Sequence, residues 1–163
     1  RDCQNSVSTS LRTVIQGSAF FIGVAETVRR VFFRGVVQVI LYSAALPIEL
    51  NNGNDGRGGR WVSSAKVRTQ IEATLRALKL TRPKPFSGPV SLMITRILGA
   101  RQQKWDADSY QRGNLKELID ALVVCGWFVD AGPKYIEEVR FKQLDLKPRP
   151  VKSTTLIEVM SNE

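Results

Sequence analysis

Asp106 and Asp108 stand one residue apart in the segment Trp105-Asp106-Ala107-Asp108. On a strand, side chains at i and i+2 point to the same face, so this pair would bring two carboxylates to one spot. Like charges held that close repel, and burial sharpens the penalty. A cation between them relieves it, and carboxylate oxygens are hard ligands that suit Mg²⁺, with Mn²⁺ as the alternative. A water on such a metal can be aligned on a phosphodiester. The same two acids in a solvated turn would do none of this, so the neighbours matter. Lys116 follows, where it could offset charge on a phosphate or simply form an i,i+4 pair with Asp120. Asp130 closes the segment Gly126-Trp127-Phe128-Val129 and offers a third carboxylate from a neighbouring strand.

These acids lie among Arg96, Arg101, Lys104, Arg112 and Lys134, a locally cationic setting that suits a meeting of metal and phosphate better than a plain ion-pair network. The whole chain shares the bias: 24 Lys and Arg against 15 Asp and Glu give a formal charge of +9. A polyanionic partner is one reading, because each phosphate neutralised releases counterions; charge serving solubility alone is the other. The stretch Asn51 to Arg60 is rich in Asn and Gly and lacks the Gly-Lys-Ser/Thr ending of a nucleotide phosphate loop. Its Arg57 and Arg60 could follow a DNA backbone, or the stretch could be a bare hairpin tip.

Histidine is absent, which removes His-based general bases, Ser/His and Cys/His nucleophilic sites and His-containing zinc sites together. Cys3 and Cys125 have no CxxC spacing, so no disulfide framework is expected and a reducing cytoplasm is the simplest compartment. Chemistry would have to run on carboxylates, lysine, hydroxyls or an oxygen-held metal. Charges at Glu26, Arg29, Arg30 and Arg34 interrupt the apolar stretch from Thr13 to Tyr42, so no membrane span is expected. Arg1 in place of Met leads to the expectation that the natural start is missing or altered.

The elements that must position the acids follow from periodicity. Val14, Phe21, Val24, Val28 and Phe32 recur at near-helical intervals, predicting an amphipathic helix over Thr13–Phe33, weakened by Gly17 and Gly23. Val36–Tyr42 is β-branched and apolar and reads as a strand ahead of Leu46-Pro47. Ser63 or Ser64 can cap a helix with Val67, Ile71, Leu75 and Leu78 on one stripe. Val90–Leu98 reads as a strand, Asn114–Val124 as a helix burying Leu115, Leu118, Ile119 and Leu122 and ending at Gly126. Tyr135–Leu144 and Thr154–Met160 read as further strands. The pattern is α+β, a mixed central sheet with two main helices, divided into an N-terminal extension over 1–35, helical in part, and one domain over 36–163.

The ordered series Leu46-Pro47, Asn51-Asn52, Trp105-Asp106-Ala107-Asp108, Asn114-Leu115-Lys116, Asp120-Ala121-Leu122, Gly126 and Asp130 resembles the RusA-type Holliday-junction resolvases, commonly encoded by phages and prophages. The likeness covers about residues 36–163. It implies a homodimer that binds four-way DNA junctions and nicks two strands symmetrically with Mg²⁺ or Mn²⁺, in recombination and repair. It further implies that Asp106, Asp108 and Asp130 are metal ligands and that Lys116 takes the family's lysine role. Arg57, Arg60, Arg101, Lys104, Arg112 and Lys134 are the expected DNA contacts. Three features depart from the family: Ser109–Gly113 lengthens the gap before the lysine, residues 1–35 have no counterpart, and Ala131 stands where the second acid of an Asp-Asp pair is expected. Loss of that acid predicts weak metal binding and little turnover. The alternative is a non-catalytic junction-binding protein that keeps the fold. A third class, an interaction module using residues 13–42, would bind DNA weakly and without salt dependence.

Overall fold

The computed structural model describes residues 29–33, 36–50, 64–106 and 114–162. Five strands and two helices follow in the order β1 (Arg29–Phe33), β2 (Val36–Leu46), α1 (Ser64–Ala77), β3 (Val90–Ile97), α2 (Leu115–Val124), β4 (Ile136–Leu144) and β5 (Thr154–Asn162). The strands form one sheet in the order β1-β2-β5-β3-β4. β3 and β4 are parallel and every other pair is antiparallel. A parallel pair needs a crossover, and α2 supplies it between β3 and β4. The α+β expectation, with a mixed sheet and two main helices, is met.

One face of the sheet carries the core. Registers Leu92↔Val159, Ile94↔Ile157 and Ala44↔Ile157 put these apolar side chains on a common face. Ile71 and Leu75 of α1 and Leu118, Ala121 and Leu122 of α2 join the same buried cluster. The helix spacing read from the sequence is therefore the spacing that packs. Below the helices, the Trp127 indole N–H donates to the Leu80 carbonyl at 2.6 Å, and the Tyr42 ring meets Trp127 edge-on at 4.8 Å. This satisfies the one polar atom that a fully buried tryptophan carries.

Strand bounds shift at their ends: β2 continues to Leu46, β5 to Asn162, and β4 begins at Ile136. The helix expected over Thr13–Phe33 requires a correction. Arg29–Phe33 is a strand, paired in register with Val36–Ile40 from Phe33↔Val36 to Arg29↔Ile40. Val31, Phe32 and Phe33 favour extended backbone, and the β-branched Val36, Val37 and Val39 lie directly beside them as a hairpin partner. β1 thus belongs to the same sheet as β2, β3, β4 and β5. Residues 13–28 lie outside the described residues.

Candidate functional site

The segment after β3 has no helix or strand geometry, yet side chains hold it firmly. Arg96 and Gln143 are register partners on β3 and β4. Gln143 Oε1 accepts from the Trp105 N–H at 2.8 Å, and its Nε2 donates to the Trp105 carbonyl at 3.0 Å. One side-chain amide therefore satisfies both main-chain groups of Trp105, as a strand partner would. The buried Arg96 donates from Nη1 to the Gln103 carbonyl and to Gln143 Oε1, each at 3.1 Å. Its guanidinium lies 4.1 Å from the centre of the Trp105 ring. That ring stacks on Phe141 of β4, 5.8 Å away and 5° from parallel.

The preceding turn is tied to the rest of the molecule as well. Gln102 accepts from the Gly99 N–H at 3.2 Å and donates to the Glu49 carboxylate. Arg149, in the connection from β4 to β5, grips Asp145 with two hydrogen bonds at 2.6 and 2.8 Å and the Gln102 carbonyl with a third at 2.7 Å. The Arg149 guanidinium holds the Asp145 carboxyl below its ordinary value of 3.8. Asp106 follows directly on the clamped Trp105 and is exposed, as are Arg101 and Lys104.

Of the other expected residues, Asp130 and Lys134 lie in the turn before β4 and Lys116 lies on α2. Trp105 and Asp106 fall in neither a helix nor a strand, and Asp108 lies outside the described residues. Asp130 sits in the turn between α2 and β4, not on a strand. Its Oδ2 accepts from the Gly132 N–H at 3.1 Å, an Asx turn that leads the chain into β4. Asp130 is thus joined near the first residue of β4, whereas Trp105 is bonded to Gln143 near the last. From Ile136 to Gln143 the strand spans roughly 23 Å at ~3.3 Å per residue. Among the described residues no three Asp, Glu, His or Cys side chains are grouped to hold a metal ion. The exposed Asp106 carboxylate is a hard oxygen ligand of the kind that suits Mg²⁺, and Asp108, its expected co-ligand, lies outside the described residues.

Lys116 donates to Asp120 Oδ2 at 2.9 Å, and its side chain is 81 % exposed. This is the i,i+4 pair of an exposed helix face, and that hydrogen bond raises the lysine above its ordinary 10.5. Lys134 is exposed with its ammonium 5.5 Å from the centre of the Tyr135 ring. Arg96, counted among the cations around the acids, is 3 % exposed and spends its charge on Trp105 and Gln103, so it is a structural clamp. Arg57, Arg60 and Arg112 lie outside the described residues.

Gln143, Gln102, Phe141 and Arg149 carry the architecture of this site and were not legible as part of it. The one local signal was Asp145 four residues before Arg149 in a proline-containing stretch. Among the described residues, no helix is long and apolar enough to cross a membrane. No protein-family model matches the chain, and no curated protein matches it.

Proposed function

We propose that this chain binds branched DNA in the manner of the RusA-type resolvases it resembles, as a homodimer with a preference for four-way junctions and with weak metal-dependent cutting. The observation that supports binding is the clamped segment after β3, which carries exposed Arg101, Lys104 and Asp106 on a backbone fixed by Gln143 and Arg149. A fixed backbone lets side chains meet phosphates with little further ordering cost. The formal charge of +9 supplies the long-range attraction. A two-fold junction is matched by a two-fold protein.

The second reading is a cutting-competent resolvase in which Asp106, Asp108 and Asp130 hold Mg²⁺ or Mn²⁺ and Lys116 offsets phosphate charge. The Asx turn at Asp130 and the neutral Ala131 beside it favour weak cutting over this reading. Gel shifts on four-way, linear and single-stranded DNA of equal length, with and without Mg²⁺, test the proposal. Tighter binding to the junction than to linear duplex is expected; equal binding to all three sinks it. In a parallel nicking assay the chain itself should cut weakly, and Ala131→Asp should raise cutting if position 131 is a ligand position. Efficient cutting that Asp106→Asn abolishes would establish the second reading instead.

A further inference from the structure

The connection from β4 to β5, residues 145–153, is bound to the segment after β3 at two points. Arg149 reaches the Gln102 carbonyl. Gly99 lies so close to the Lys152–Ser153 backbone that a Cβ placed on it would come 2.8 Å from the Ser153 nitrogen. The two segments therefore form one surface at the end of the sheet where β3 stops and β5 starts.

The charge on this surface is one-sided. Residues 99–106 and 145–153 together contain Arg101, Lys104, Lys147, Arg149 and Lys152 against Asp106 and Asp145. Arg149 takes both Asp145 oxygens at 2.6 and 2.8 Å, and Lys147 and Lys104 act on the same carboxylate from farther off. Lys147 stands 3.9 Å from it with a side chain 79 % exposed, and Lys152 is exposed at the far side of the loop. Pro148 and Pro150 restrict the backbone between the two lysines. Four exposed cations on two braced segments match a chain of phosphates.

We infer that the 145–153 connection is a second nucleic-acid-contacting segment, in which Lys147 and Lys152 meet backbone phosphates of a duplex arm alongside Arg101 and Lys104. The inference rests on the branched-DNA reading above and extends it to a segment outside the expected contacts. Phosphate contacts give position and affinity without base sequence, so the segment serves any arm of a junction equally.

The test compares two doubly substituted forms of the full chain by fluorescence anisotropy on a labelled duplex and a labelled four-way junction over a salt series. Lys147→Glu with Lys152→Glu reverses the loop. Lys79→Glu with Lys84→Glu makes the same change in net charge in the connection from α1 to β3. The loop variant should bind about tenfold or more weakly at low salt. Its log–log salt slope should be shallower by about two, since each phosphate that a lysine no longer neutralises removes close to one unit. The control pair should lose far less. Lys147→Gln with Lys152→Gln should give an intermediate loss, and thermal melts matching the unsubstituted chain confirm folding. Equal losses in both Glu pairs, or none in the loop pair, overturn the inference while leaving the binding proposal standing. An unsubstituted chain that binds neither DNA overturns the binding proposal, and this inference with it. Phosphatidylserine vesicles bound with a loss equal to that on DNA would assign the surface to membranes and overturn it too.

Discussion

Gly126 shows how much one residue decides in this chain. It leaves α2 at φ +82°, in the left-handed region that glycine enters without strain. A Cβ there would fall inside contact distance of the Arg82 carbonyl oxygen, in the backbone that runs beside it. That backbone cannot easily retreat, because the Arg82 N–H donates to the Cys125 carbonyl at 3.0 Å and the Phe86 N–H to the Trp127 carbonyl at 2.9 Å. Gly126→Ala should therefore cost about 2–4 kcal/mol, combining left-handed strain with displaced backbone. Urea unfolding measures it; a loss below ~1 kcal/mol would mean that the Arg82 segment gives way freely. The glycine was readable as a helix end, but the close approach of Arg82 was not, since it depends on a segment more than forty residues earlier.

Among the elements, the braced connection from β4 to β5 makes a pH-dependent prediction. Asp145 titrates below its ordinary value because Arg149 hydrogen-bonds to its charged form. A carboxyl whose folded value is depressed contributes stability that is present above its unfolded value and lost as pH falls through the folded one. Asp145→Asn should thus lower the urea midpoint at neutral pH and leave it nearly unchanged in acid strong enough to protonate the folded Asp145. The difference between mutant and parent should close as pH falls; a constant difference would show that the pair contributes through packing alone. The same element scale marks what the sequence reveals. Helices α1 and α2 and four of the five strands are legible because their apolar periods are local. β1 was not, because Val28 and Phe32 fit a helical period as well as a strand and only the adjacent hairpin decides. The clamp on Trp105 was hidden for another reason. Gln143 lies 38 residues away, and its role depends on β3 and β4 lying parallel with Arg96 opposite Gln143. Arg96 itself reads as one more surface cation until its stacking on Trp105 is known.

For the whole molecule, strand order sets where stability resides. β5 has β2 on one side and β3 on the other, so its backbone groups are paired along both edges. Among the described residues β1 and β4 are the outer strands, each with one neighbour. Of these two, β4 carries the charged run Glu137, Glu138, Arg140 and Lys142, which discourages pairing with another chain. Arg140 adds a brace by pairing with Glu138 and donating to Gln38 at 3.0 Å. Native-state hydrogen exchange should therefore be slowest in β5 and the adjoining β3, where opening a strand breaks two ladders and exposes Ile94, Ile157 and Val159 of the core. In β4 protection should alternate, with amides facing β3 slow and amides facing outward fast. β1 should exchange fastest of the five, since it is five residues long and held by one hairpin partner. Protection in β1 equal to that in β5 would mean that something beyond this sheet order covers that edge.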